Sequence, residues 1–204
     1  EIYMGDWSSD VCSSDLYVDQ QNPVIDAVLQ GSFVLNAGSA FARGYEIEAQ
    51  LMPTSALLLK AGYGYTDARY EDDQPSVGDP IIQAQIDRLA GKPLPRSNKH
   101  GDNSSASYTF QMGQSGSLRL GSDYSYRSSQ NFDAINATGS VYRLNGNMVY
   151  SAPGDAWQVE LWGRNLLNED YIASVFANQF TVGRLGVIYG MPREYGLRMS
   201  YRYR

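Results

Sequence analysis

The last stretch of the chain, residues 193–203, separates into two chemically opposite sets when its side chains are taken alternately. One set is apolar or aromatic and comprises Tyr195, Leu197, Met199, Tyr201 and Tyr203. The other set comprises Glu194, Gly196, Arg198, Ser200 and Arg202. Successive side chains of a strand point to opposite faces, so this period of two predicts a strand with one apolar face. That face packs against either a protein core or lipid.

The composition limits the classes of protein that such strands can build. The chain has 204 residues, with 16 tyrosines and 20 glycines, and is long enough for one domain with a core. No stretch approaches the roughly 18 consecutive apolar residues of a membrane-spanning helix. A transmembrane β-barrel, in contrast, distributes its apolar residues in alternation. The net charge of −6 disfavours nucleic-acid binding, which requires a concentrated basic patch.

Residues 6–16 read D-W-S-S-D-V-C-S-S-D-L. This segment resembles, residue for residue, the translation of a widely used short-read sequencing adapter. We therefore expect residues 1–16 to be an adapter-derived artefact with unrelated residues before it, and the true sequence to begin near Tyr17. The alternative is a polar Ser/Asp linker. Cys12 lies in this segment and therefore predicts neither a disulfide nor a nucleophile.

Alternating strands are predicted over most of the remaining chain. Their expected ranges are 16–27, 40–52, 56–68, 99–111, 117–128, 138–150, 156–164 and 193–203. The connections alternate between short Gly-, Pro- and Ser-containing turns and, mostly, longer segments. In the segment that follows residue 68, five residues have roughly helical spacing and predict a short helix in a surface loop: Ile81, Ile82, Gln85, Ile86 and Leu89.

The charge of the apolar faces indicates their environment. In seven well-patterned strands we find no Asp, Glu, Lys or Arg on the apolar face, whereas the opposite face carries many. A charge at the bilayer midplane costs about 2–4 kcal/mol, and aromatic residues form girdles at the interfaces. The pattern therefore predicts an all-β fold: an antiparallel up-and-down transmembrane β-barrel portion of about eight strands, with short periplasmic turns and long extracellular loops. A water-soluble barrel with an apolar interior is the alternative.

Five motifs, in order along the chain, resemble the barrel region of TonB-dependent outer-membrane receptors. They are R-G-Y-E-I-E at 43–48, A-G-Y-G-Y-T-D-A at 61–68, Leu94-Pro95 followed by Lys99-His100, W-G-R-N-L-L-N-E-D-Y at 162–171, and P-R-E-Y-G-L at 192–197. The resemblance implies a plugged barrel of about 22 strands, of which this chain supplies about the last eight. The family usually ends on an aromatic residue, whereas here Arg204 follows Tyr203.

The same resemblance implies a function and partners. We expect part of an outer-membrane TonB-dependent receptor of a Gram-negative cell, which imports a scarce ligand of the siderophore, vitamin or carbohydrate class. Expected partners are outer-membrane lipid, the barrel-assembly machinery through the final strand, and TonB only through the missing N-terminal plug region. Two alternatives stay open: a complete eight-stranded outer-membrane barrel with a structural or adhesive role, and, less favoured, a soluble ligand-binding barrel.

Ligand contacts are expected in the long loops, because loops on a rigid scaffold usually carry recognition. The candidates, chosen by position, are Arg69, Tyr70, Tyr171, Phe176 and Arg184.

Catalytic, metal and cofactor sites are not expected. His100 is better explained as a barrel-rim residue than as a general base. Glu46 and Glu48 share a strand face that fits a water-filled or plug-facing lumen. Residues 71–73 lack the glycine spacing of a calcium loop, and residues 165–170 lack the glycines and lysine of a phosphate loop. We therefore predict that the protein is not an enzyme.

Overall fold

The computed structural model describes residues 11–26, 31–73, 76, 78–132, 137–177 and 185–203. Its strands are β1 Val11–Asp26, β2 Gly31–Thr54, β3 Leu57–Tyr70, β4 His100–Gln111, β5 Ser117–Arg127, β6 Gln130–Asn131, β7 Ala137–Thr138, β8 Val141–Ser151, β9 Trp157–Arg164, β10 Ile172–Ala177, β11 Leu185–Tyr189 and β12 Glu194–Tyr201. Eight of them form one antiparallel sheet in the order β1-β2-β3-β4-β5-β8-β9-β12. The predicted up-and-down, eight-stranded portion is therefore confirmed.

From β2 onward, the connections of this sheet are short at one end and long at the other. The short ones are residues 55–56, 112–116 and 152–156, and the last two contain 3₁₀ turns at Gly113–Ser115 and Pro153–Asp155. The long ones are residues 71–99, 128–140 and 165–193, which we call the first, second and third loops. The predicted ligand contacts Arg69, Tyr70 and Tyr171 thus lie at one end of the sheet.

The loops contain secondary structure of their own. Helix α1, Pro80–Asp87, lies in the first loop and confirms the predicted helix. The hairpin β6–β7 lies in the second loop, and the hairpin β10–β11 lies in the third. Across the described ranges, no helix has both the length and the apolar character needed to cross a membrane.

β1 pairs with β2 from Val11 opposite Ile47 to Asp26 opposite Gly31. It therefore begins earlier than the sequence predicts, inside the adapter-like segment. Strand pairing uses backbone N–H and C=O groups, which almost every residue carries whatever its origin. The pairing is thus independent of where residues 11–16 come from.

The strand register collects the apolar side chains on one face of the sheet. Met148 lies opposite Leu161, and Leu161 lies opposite Leu197 on the next strand. These side chains are 42%, 48% and 64% exposed, although water disfavours so large an apolar surface. Aromatic residues flank the band. The Tyr45 ring contacts those of Tyr63 and Tyr65 towards the loop end, and the pairs Tyr108–Phe110 and Tyr150–Trp157 lie at the turn end. An exposed apolar band between two aromatic rows is the outer surface of a transmembrane barrel.

The expectation that this face carries no charge is wrong at its loop end. Arg43 lies opposite Asp67, and Asp102 lies opposite a tyrosine of β3. The Asp67 carboxylate accepts hydrogen bonds from the guanidinium groups of Arg43, at 3.4 Å, and Arg69, at 2.5 and 2.9 Å. These charges lie level with the tyrosine row or beyond it, near the interface, where a charge costs only about 0–1 kcal/mol.

Two glycines hold the register of the last two strands, which a long loop joins instead of a tight turn. Gly163 lies opposite Tyr195, and Gly196 lies opposite Trp162. A Cβ on Gly196 would overlap the Trp162 indole, and one on Gly163 would lie 3.1 Å from the Tyr195 ring. The Trp162 ring therefore covers Gly196, and the Tyr195 ring covers Gly163. The two contacts lie on opposite faces of the sheet. A shift of one residue would break both contacts, which explains the W-G and Y-G pairs of the two motifs.

Gly44 marks a close approach between β2 and β3 in the first motif. A Cβ there would overlap the backbone carbonyl oxygen of Tyr65, which cannot rotate away. We expect Gly44→Ala to lower the free energy of unfolding by about 1–3 kcal/mol. The control is Gly139→Ala in the second loop, where an added Cβ also meets nothing within 4 Å. Urea unfolding of the full-length receptor in lipid vesicles measures both, and equal losses would contradict the steric explanation.

Candidate ligand-facing surface

The face opposite the apolar band is polar and encloses a hollow of about 650 Å³. Its middle is lined by Glu46, Glu48, Gln50, Lys60, Asn103, Asp123 and Asn145. Gly62 and Gly64 line the same hollow, and an added Cβ at either meets nothing closer than 3.8 Å. A glycine within a strand is destabilising by roughly 0.5–1 kcal/mol relative to alanine. The open space above these two glycines leaves room for the close approach of another segment.

The turn half of this concave face contains an ion pair. Glu160 of β9 accepts a hydrogen bond from Asn147 Nδ2 of β8, at 3.1 Å, and from Arg198 Nη1 of β12, at 2.9 Å. One carboxylate therefore connects three neighbouring strands. Arg198 is largely exposed, so the ion pair contributes little stability, but it fixes the positions of the side chains.

The predicted contacts of the first loop lie at the end of β3. Arg69 binds Asp67, and its guanidinium carbon lies 5.8 Å from the Phe41 ring centroid. Tyr70 is only 2% exposed, and its backbone N–H donates to Lys92 O at 2.9 Å. Arg69 is thus accessible, whereas the Tyr70 ring is buried at the base of the loop.

The other predicted contacts belong to the third loop. Tyr171 is half-buried at the start of this loop, and its ring lies against Gly190 and 5.7 Å from the Arg143 guanidinium carbon. Phe176 is part of β10, but its side chain lies outside the described residues, as does Arg184 entirely. The described candidates therefore occupy the bases of two different loops, and their contact with a ligand stays a prediction.

Sequence reasoning missed the residue that organises the third loop, Asn165, which is 4% exposed. Its Nδ2 donates to Glu169 O at 3.0 Å and to Met191 O at 3.1 Å, and its Oδ1 accepts from Glu169 N at 2.9 Å. Its own N–H donates to Asn145 Oδ1 at 3.1 Å. Asn165 therefore joins both ends of the loop to each other and to β8. An asparagine directly after a strand, where it can bond nearby backbone, is the signal that could have found it.

A second hollow, of about 210 Å³, lies between the first and second loops. Arg96 N donates to Asn131 O at 2.6 Å, and His100 N donates to Ser128 Oγ at 3.1 Å, so the loops continue the sheet beyond its strands. The His100 Nδ1 atom lies 2.7 Å from the Tyr63 hydroxyl oxygen. In the described part of the chain, no group of three or more His, Cys, Asp or Glu residues is placed to hold a metal ion.

An apolar outer face, a polar concave face and long loops at one end together define a portion of a transmembrane receptor barrel. The chain matches the family described as "TonB dependent receptor-like, beta-barrel" over residues 10–166. The chain belongs to this family of outer-membrane receptors, as the motifs predict.

Similar proteins are longer than this chain. A ferrichrome outer membrane transporter/phage receptor of Escherichia coli (strain K12) is 28% identical over 180 residues, which cover 85% of this chain and 22% of that protein. The chain therefore spans less than a third of the length of the proteins it matches.

Two solved structures share the fold. The ferric yersiniabactin uptake receptor FyuA from Yersinia pestis has a TM-score of 0.76 at 18% identity, over 96% of this chain and 27% of that one. BauA, the ferric preacinetobactin receptor from Acinetobacter baumannii, has a TM-score of 0.67 at 19% identity, over 97% and 27% respectively.

Proposed function

We propose that this chain is part of a receptor that imports a ferric siderophore across the outer membrane. The observation that carries the proposal is the polar hollow of about 650 Å³ on the face opposite the exposed apolar band, in a sheet with three long loops at one end. The ferrichrome transporter of Escherichia coli supports the siderophore class over the vitamin and carbohydrate classes. Its sequence similarity extends over most of this chain, including the strands that line the hollow.

The partners follow from the two faces of the sheet. Lipid covers the apolar face, including Tyr195, Leu197 and Met199 of the final strand, which are 64–72% exposed. A plug segment from elsewhere in the receptor occupies the concave face, where Gly62 and Gly64 leave space against the backbone. TonB acts through that plug, and the barrel-assembly machinery recognises β12.

The alternative of a complete eight-stranded barrel is disfavoured by the sheet order. β1 and β12 are its two edges, and within the described ranges they are not paired with each other. A barrel in lipid must pair every edge strand, because unpaired backbone groups there cost several kcal/mol each. The similarity to longer receptors also favours pairing of these edges with strands of the same receptor.

The experiment is deletion of the full-length gene in a strain whose other iron receptors are removed. We expect loss of growth when a single ferric siderophore is the iron source, and recovery when the gene is restored. Recovery should disappear in a strain that lacks TonB. Growth unchanged on every ferric siderophore of a broad panel would exclude the proposal.

We also propose that residues 1–16 are adapter-derived. The resemblance of residues 6–16 to a translated sequencing adapter supports this origin. Amplification and sequencing of the locus from genomic DNA tests it, since the native codons should then replace those of the adapter. Recovery of the same codons from genomic DNA would show that the segment is native.

A further inference from the structure

Basic side chains mark the loop end of four successive strands on the concave face. They are Lys99 just before β4, Arg127 at the end of β5, Arg143 near the start of β8, and Arg164 at the end of β9. We call these four residues the basic rim. They lie far apart in sequence, and only the strand register brings them together.

The register makes the basic rim continuous. Arg127 lies opposite Gly101 of β4, two residues from Lys99. Arg127 also lies opposite Val141 of β8, two residues from Arg143. Diagonal neighbours of this kind are about 7–8 Å apart and share one face. Arg164 extends the line, since it adjoins the last pair of β8 and β9, Gly146 opposite Gly163.

None of the four rim side chains belongs to an ion pair in the described ranges. The ion pairs there join Arg43 and Arg69 to Asp67, and Arg198 to Glu160. Other described basic residues, such as Lys60 and Arg119, also form no ion pair, and the rim differs from them in that its charges are neighbours. Glu194 of β12 lies opposite Arg164, and Lys99 interacts electrostatically with Asp67, so the charges of these two members are partly offset. Neighbouring like charges oppose folding, which indicates that the rim serves a partner of opposite charge.

Aromatic rings position the guanidinium groups of two rim residues. The Arg143 guanidinium carbon lies 5.7 Å from the Tyr171 ring centroid, and that of Arg164 lies 5.1 Å from the Trp162 ring centroid. A guanidinium against a ring keeps its N–H donors available for carboxylate or other anionic oxygens. A charged cleft also concentrates ligands of opposite charge and accelerates their arrival.

We infer that the basic rim selects anionic ligands, so that the imported ferric complex carries net negative charge. This inference rests on the proposed function, because it names the charge of the ligand that the same surface takes. Two carboxylates of the concave face lie deeper than the rim, since Asp123 is opposite Asn145 and Glu160 is opposite Val149. Glu46 and Glu48 lie in the same register rows as Arg127 and Arg143, but on β2, three strands away from β5. An anion is therefore held at the rim and repelled from the deeper wall.

The test measures binding of three probes to the full-length receptor in detergent: a ferric tris-catecholate trianion, a neutral ferric tris-hydroxamate, and iron-free benzene-1,3,5-tricarboxylate. The variant is R127Q/R143Q. We expect it to bind both anionic probes about tenfold more weakly or worse, because charged contacts are lost. The salt dependence of anion binding should fall, and binding of the neutral probe should not change.

The control is R119Q, which removes a positive charge from the same face at the turn end of β5, opposite Thr109 and Val149. It should leave binding of all three probes unchanged. Equal binding of anionic and neutral probes by the unsubstituted receptor, absence of anion binding, or equal losses in R127Q/R143Q and R119Q would each overturn the inference. A receptor could bind benzene-1,3,5-tricarboxylate through the rim and yet support no growth on ferric complexes. That result would support the anion site and contradict the proposed import of iron.

Discussion

Leu161→Arg is expected to lower the stability of the full-length receptor in lipid by about 2–4 kcal/mol, the cost of a charge near the bilayer midplane. Leu161 is 48% exposed at the centre of the apolar band, between Met148 and Leu197 on the neighbouring strands. The aromatic pair Tyr150–Trp157 lies towards one interface and Tyr195 towards the other. The new guanidinium would therefore lie between the two interfaces, far from water. Reversible unfolding by denaturant from phospholipid vesicles measures the loss.

The control places the same charge on the other face of the same strand. Gln158 lies on the concave face, and its cross-strand neighbours, Ser151 and Ser200, carry no charge. Gln158→Arg should therefore change stability by less than about 0.5 kcal/mol, as surface substitutions usually do. If both variants lost the same stability, the exposed apolar face would not be the lipid face.

Most of the sheet could be predicted because alternation is a local property. The expected range 156–164 differs from β9 by one residue, and 99–111 differs from β4 by one residue. β2 differs most from its expected range, since it begins at Gly31 instead of residue 40. Phe33, Val34 and Leu35 are consecutive apolar residues, which give no period of two.

The short hairpins were not predicted because a loop strand has too few residues to show a pattern. β6 and β7 contain two residues each, and β10 contains six. Neither hairpin has a tight two-residue turn signal, since residues 132–136 separate β6 from β7 and residues 178–184 separate β10 from β11. α1 was predicted because its apolar residues recur over about two turns, and Ile86 is indeed buried, at 1% exposure.

The ligand-facing surface was less predictable than the sheet because it depends on register and burial. Position alone suggested Tyr70 as a ligand contact, but the burial of its ring is a tertiary effect that the sequence does not display. The basic rim likewise requires knowledge of which residues face each other. Arg127 and Arg143 are separated by the second loop, and only the pairing of β5 with β8 makes them neighbours.

Asn165→Gly is expected to release the third loop from the sheet at a cost of about 2–4 kcal/mol. The substitution removes three side-chain hydrogen bonds, to Glu169 N, Glu169 O and Met191 O. Each buried backbone group left without a partner costs about 1–3 kcal/mol. Asn165 has a φ of 48°, which glycine adopts without strain, so the loss reports the hydrogen bonds rather than the backbone.

Hydrogen–deuterium exchange of the full-length receptor measures this release directly. We expect the amides of β10 and β11 to exchange faster in Asn165→Gly, while those of β5 and β8 keep their protection, since local openings differ in free energy across a structure. The matched control is Asn168→Gly, which makes the same change in the same loop at an exposed residue with a φ of 55°. Unchanged protection of β10 and β11 in Asn165→Gly, or equal losses in the two variants, would show that the loop is held by other contacts. If only Asn165→Gly releases the hairpin, then Tyr171 moves away from Arg143, and one half of the aromatic support of the basic rim is lost with it.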